Sequence, residues 1–135
     1  MSRARVLMID DSEDDAELLG VVFAQADLGF EFSYALDADQ ALARLAAPAH
    51  GIRLVLLDIK MAGRSGKDVL AEIRRTPATR HLPVILLSSS DAPADVTESY
   101  RLGANAYVQK PSSLEGCRTF VKRLAEFWLE TATLP

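Results

Sequence analysis

Five short runs rich in Val, Ile and Leu alternate with longer stretches whose apolar residues recur at helical spacing, and this alternation restricts the fold more than any other feature of the chain. The runs are ARVLMID at the amino end, FEFSYAL (30–36), IRLVLLD (52–58), LPVILLS (82–88) and ANAYVQ (104–109). Strands that are apolar along their whole length belong in a parallel sheet covered on both faces. Strand and helix taken in turn, with short connections, predict a doubly wound α/β domain with right-handed crossovers. The intervening segments carry helix starts. Ser12 is an N-cap candidate with Asp15 in the capping-box position, and Asp37 with Gln40, Ser65 with Asp68, and Ser112 with Glu115 repeat the pattern. Asp91 and Pro93 mark the start of the fourth helix and Gly103 its end. Leu18, Leu19, Val22, Phe23 and Ala26 form the inward side of the first helix.

With 135 residues the chain makes one domain, 1–135, with no room for an output domain. The net charge of -4 speaks against DNA or an anionic membrane bound by bulk electrostatics. One cysteine, Cys117, excludes an intrachain disulfide and a Cys-based metal cage, which fits a cytoplasmic setting. The apolar run before Asp10 is too short for a signal peptide or a membrane span.

Ligand chemistry in such a sheet gathers beyond the carboxyl ends of the strands. Strand one ends in Asp10-Asp11, strand three in Asp58, strand four in Ser88-Ser89-Ser90, and strand five in Lys110-Pro111. Each is an ordinary loop or cap residue when taken singly; together they bring three carboxylates, hydroxyls and an ammonium to one sheet edge. Crowded carboxylates repel and call for a cation, and hard oxygens suit Mg²⁺. A phosphoryl group arriving on Asp58 would then meet Lys110 and a hydroxyl.

The motifs VLMIDD, LVLLDIKM, VILLSSS and ANAYVQKP closely resemble the receiver family of two-component response regulators, from residue 4 to about 130. The resemblance implies a (βα)5 flavodoxin-like receiver fold and Asp58 as the phosphorylated residue. It also implies Asp11 and Asp58 as direct Mg²⁺ ligands with the backbone carbonyl of Lys60, and Asp10 acting through metal-bound water. Ser88 would be the switch hydroxyl, Tyr107 the aromatic that changes rotamer with it, and Lys110 the partner of the phosphoryl oxygens. The KPSSLEG and FWLETATLP segments are similar to stand-alone regulators of phytochrome histidine kinases. A sensor histidine kinase is therefore the expected partner. The expected chemistry is limited to acceptance of the phosphoryl group and its slow loss, so the chain is not expected to be an enzyme.

Departures from the family pattern are also legible. Its frequent proline four residues after the acceptor is Ala62 here, followed by Gly63, which predicts a less stiff loop. Lys60 stands two residues after Asp58, where aspartyl phosphohydrolases need a second acid. A flavodoxin-like cofactor carrier would want a glycine- and hydroxyl-rich loop in place of DDSEDD, and a phosphorylation-independent pseudo-receiver would lack acceptor-site residues that this chain has. GRSGKD (63–68) lacks P-loop spacing and reads as an ordinary loop with a cap, and His50 and His81 read as solvated loop residues.

Two further expectations concern geometry. A cis Lys110-Pro111 peptide would aim the ammonium at Asp58. On the last helix, Leu114, Cys117, Val121, Leu124 and Trp128 form one stripe at 100° per residue, with Phe120 and Phe127 beside it. So wide an apolar arc predicts a homodimer through the helix 4, strand 5, helix 5 face, with Tyr100 and the Leu134 tail contributing.

Overall fold

In a computed structural model that describes residues 4–135, the five strands form one parallel sheet in the order β2-β1-β3-β4-β5. They are β1 (Arg5–Ile9), β2 (Glu31–Ala35), β3 (Ile52–Asp58), β4 (Val84–Ser88) and β5 (Ala106–Gln109). Between and after them lie α1 (Glu13–Ala26), α2 (Ala38–Ala46), α3 (Gly66–Arg75), α4 (Pro93–Arg101) and α5 (Leu114–Leu124). Strand order reverses between β1 and β3, so a crevice opens beyond their carboxyl ends.

The strands' period of two sorts the core into halves. Leu7, Ile9, Val55, Leu57, Val84 and Leu86 face α2 and α3, where Ala41, Leu45, Val69, Leu70 and Ile73 cover them. Val6, Met8, Leu54, Leu56, Ile85 and Leu87 face α1 and α5, against Leu19, Val22, Phe23, Cys117, Val121 and Leu124. Burial on both faces is why β1, β3 and β4 read as unbroken apolar runs. In α1, Leu19, Val22 and Phe23 are buried as expected, whereas Leu18 and Ala26 are exposed.

Helix starts largely follow the caps. Ser12 Oγ accepts from Asp15 N at 3.3 Å and Asp37 Oδ1 from Gln40 N at 2.8 Å, and Ser65 with Asp68 completes a reciprocal box. Two starts differ from expectation. The cap of α5 is Ser113, not Ser112, and accepts from Gly116 N at 2.9 Å. No side chain caps Ala92 at the head of α4; Ser90 organises that turn, accepting from Ala92 N and donating to Asp95 Oδ2 at 2.8 Å.

Beyond Leu124 the last helix widens into a π-helical segment, Ala125–Thr131. Counting at 100° per residue therefore fails there. Cys117, Val121 and Leu124 are buried, Phe120 and Trp128 pack partly against the core, and Leu114 and Phe127 are exposed. The tail returns to the start of β3: pairing with β1 skips Arg53, whose guanidinium donates to the carbonyls of Leu134 and Pro135 at 2.9 and 2.8 Å. His50 is part of this edge of the sheet and not simply solvated, since its Nδ1 accepts from Ile52 N at 2.9 Å.

Candidate active site at the sheet edge

The alternation that sorts the core also sorts the site. Continued past the strand ends, it turns Asp10, Asp58 and Lys110 toward the α1 side, and Ser88 and Tyr107 toward the α3–α4 side. The carboxylates and ammonium thus form one cluster and the hydroxyl and phenol another, on either side of the same edge.

In the first cluster Asp10 is fully buried and Asp58 nearly so, while Asp11 is exposed. One oxygen from each lies within 4.8 Å of the others. Lys110 Nζ stands 2.5 Å from Asp10 Oδ2, 2.8 Å from Asp15 Oδ2 and 3.6 Å from Asp58 Oδ2. Its own backbone N–H donates to Ser88 O at 2.8 Å, which anchors the base of the side chain. The Lys110-Pro111 peptide is trans, as no peptide bond among the described residues is cis. The expected cis bond is not required: from that anchor the long flexible side chain alone brings the ammonium to the carboxylates.

The balance of charge leaves the pocket short of cations. Burial and the neighbouring Asp10 carboxylate raise Asp58 from its ordinary 3.8 to about 6, against the opposing pull of Lys110 and the Lys60 N–H, 3.4 Å from Asp58 Oδ1. Burial by itself would lower Lys110, but its close contacts with Asp10 and Asp15 and the nearby charge of Asp58 prevail and raise it. Asp10 Oδ1 accepts from Ser12 N at 2.9 Å. Asp10 Oδ2 is in ionic contact with Lys110 yet lacks a well-directed hydrogen bond, although it is buried. A buried, incompletely satisfied oxygen among three carboxylates is the environment that a hard divalent cation relieves. Asp10, Asp11 and Asp58 fit such an ion.

On the other side Ser88 closes β4, fully buried, its Oγ accepting from Ser90 N at 3.1 Å. Tyr107 Oη donates to Ser90 O at 2.7 Å, so the phenol already grips the loop that follows Ser88. Its ring packs with the α3-side core, away from Phe120 and Trp128.

Sequence reasoning missed two participants. Asp15 occupies the capping-box position in the sequence, but its carboxylate turns to Lys110. Gly66 was assigned to an ordinary loop, but its N–H donates to Ile59 O at 2.8 Å, and a Cβ there would stand 2.0 Å from the Asp58 carbonyl oxygen. A glycine directly after a cap residue was the available signal. The next residue, Lys67, ties α3 to α4 through Asp95 and Glu98, at 3.0 and 3.1 Å.

Fold and pocket together define a doubly wound signalling-type α/β domain with an acidic cation site at its switch point. The chain belongs to the response regulator receiver family, whose domain matches residues 6–122. It is 33% identical to the response regulator Rcp1 of Synechocystis over 96% of this chain and 92% of that one. The Mn²⁺-bound form of Rcp1 superposes with a TM-score of 0.85 at 32% identity, covering 98% and 99% of the two chains. The phosphorylated cyanobacterial phytochrome response regulator RcpA gives 0.90 at 33%, covering 99% of each. A response regulator in red light signalling of R. palustris gives 0.87 at 31%, covering 98% of each. Among the described residues, no helix is long and apolar enough to cross a membrane.

Proposed function

We propose that this chain is a cytoplasmic single-domain regulator that accepts a phosphoryl group on Asp58 from the phosphohistidine of a sensor kinase, with Mg²⁺ as cofactor. The observation that carries this reading is the meeting of Asp10, Asp11, Asp58 and Lys110 in one pocket. An Asp58 carboxylate oxygen attacks phosphorus, the new O–P bond forms as the N–P bond breaks, and the imidazole nitrogen keeps the electron pair. Asp11, Asp58 and the Lys60 carbonyl would hold Mg²⁺, with Asp10 acting through water, and the ion would supply charge neutralisation at the phosphoryl oxygens. Lys110 offers its ammonium to another oxygen. Ser88 would donate its hydroxyl proton while its oxygen accepts from Ser90 N, and Tyr107, whose Oη donates to Ser90 O, is tied to the same loop. With Lys60 two residues on, no second acid stands ready to turn the acceptor into a small-molecule hydrolase.

The Mn²⁺-bound and phosphorylated relatives support the cation and the modification, and the phytochrome regulator among them supports a phytochrome-type kinase. Incubation with acetyl phosphate and Mg²⁺ should add one phosphoryl group by intact-mass spectrometry, and EDTA or Asp58→Asn should prevent it. Undiminished labelling of the Asn variant would refute the assignment.

The signal would leave through a homodimer on the α4, β5, α5 face. Half-exposed Phe127 and Tyr100 support this, as does an apolar groove along β5 lined by Val108, Phe120, Phe127 and Trp128. Sedimentation should show a dimer that Phe127→Ala weakens; a monomer at high micromolar concentration with and without phosphorylation would exclude it.

A further inference from the structure

Ala62 lies in the β3–α3 loop four residues beyond Asp58, and its backbone N–H donates to Asp11 Oδ2 at 2.9 Å. The bond joins residues 51 apart in the chain and spans the mouth of the pocket from the β3–α3 connection to the β1–α1 connection. Asp11 is the exposed member of the acidic trio. An exposed aspartate beside two buried carboxylates has every electrostatic reason to turn out into water, and its rotamers are free to allow it. A fixed amide N–H supplies the opposing partial charge and holds the carboxylate inward.

The loop itself is fixed at both ends. Gly66 N is bonded to Ile59 O, Ser65 and Asp68 close their reciprocal box, and Gly63 takes φ +79°, a left-handed turn that glycine makes without strain. Only proline lacks the N–H in question, so the presence of a non-proline residue at 62, rather than its side chain, determines whether the bond exists.

We propose that the Ala62 amide is a positioning group for the cation site: it keeps Asp11 turned toward Asp10 and Asp58 and links the loop after the phosphoacceptor to cation binding. The proposal rests on reading the three aspartates as a divalent-cation site. Its test is calorimetric titration of Mg²⁺ into the full chain as wild type, Ala62→Gly and Ala62→Pro. Glycine keeps the N–H and should bind Mg²⁺ as the wild type does. Proline should bind about fivefold more weakly, the equivalent of about 1 kcal/mol for one net hydrogen bond. Equal affinity of the proline variant, or an equal loss in the glycine variant, would overturn the proposal. Should Ala62→Pro fail to fold, amide exchange in the wild type decides. The Ala62 N–H should be protected in EDTA and remain so in Mg²⁺, and an amide that exchanges freely in either condition overturns the role. A wild-type chain that binds no Mg²⁺ at millimolar concentration would overturn the cation site, and the positioning role with it.

Discussion

Asp58→Asn should stabilise the metal-free protein above neutral pH. A carboxyl raised from 3.8 to about 6 holds its proton more tightly folded than unfolded, by at most about 3 kcal/mol. The folded state therefore binds more protons than the unfolded state between about pH 4 and pH 6, and stability falls as pH rises through that window. Above pH 7 the wild type carries the whole cost of a buried, ionised Asp58 beside Asp10. The amide carries no charge beside the Asp10 carboxylate. Urea unfolding in EDTA should place the variant up to about 3 kcal/mol above the wild type at pH 8, a midpoint about 1.5 M higher for a slope near 2 kcal/mol/M. The gap should close below pH 4, where both chains are uncharged at this position. Mg²⁺ at a hundred times its Kd should also narrow it, by adding about 2.7 kcal/mol to the wild type. An Asn variant no more stable than the wild type at pH 8, or a gap that ignores pH, would refute the electrostatic account of the pocket.

Other perturbations probe the supports of the site. Lys110→Met removes the cation that, among the described residues, touches Asp10, Asp15 and Asp58, and should destabilise the EDTA-treated protein by about 3–5 kcal/mol, with partial recovery in Mg²⁺. Gly66→Ala forces a methyl against the Asp58 carbonyl, and should lower stability by about 1–3 kcal/mol while slowing acetyl phosphate labelling. Arg74 donates to the carbonyls of Arg80, Leu82 and Gly103 and to Asn105 Oδ1, joining α3 to the starts of β4 and β5. Arg74→Met should therefore cost about 3–5 kcal/mol in urea unfolding, with Mg²⁺ affinity little changed because the pocket lies at the opposite edge of the sheet.

The fold was legible because its signals are local. Apolar runs fit for two-sided burial, helix-period segments between them, and caps such as Asp37 and Ser65 each occupy a few neighbouring residues, and the rules of parallel sheets assemble them in only a few ways. The site was legible for the same reason: topology alone sends the ends of β1, β3, β4 and β5 to one edge, which groups Asp10, Asp11, Asp58, Ser88 and Lys110. Tertiary structure decided the contacts between residues far apart in sequence. Whether Asp15 returns to Ser12 or reaches Lys110, 95 residues away, depends on how α1 lies against the end of β5: Ser12 N already donates to Asp10 Oδ1, and the Asp15 carboxylate turns to the ammonium. The Ala62–Asp11 bond, the approach of Gly66 to Asp58 and the trans Lys110-Pro111 peptide arise in the same way from packing between separate connections. So does the π-helical widening after Leu124, which moves Phe127 and Trp128 from the positions that a count at 100° per residue gives. Periodicity records which face of an element is buried; it does not record what the element meets there, because that is set by the summed packing of the whole sheet and its helices.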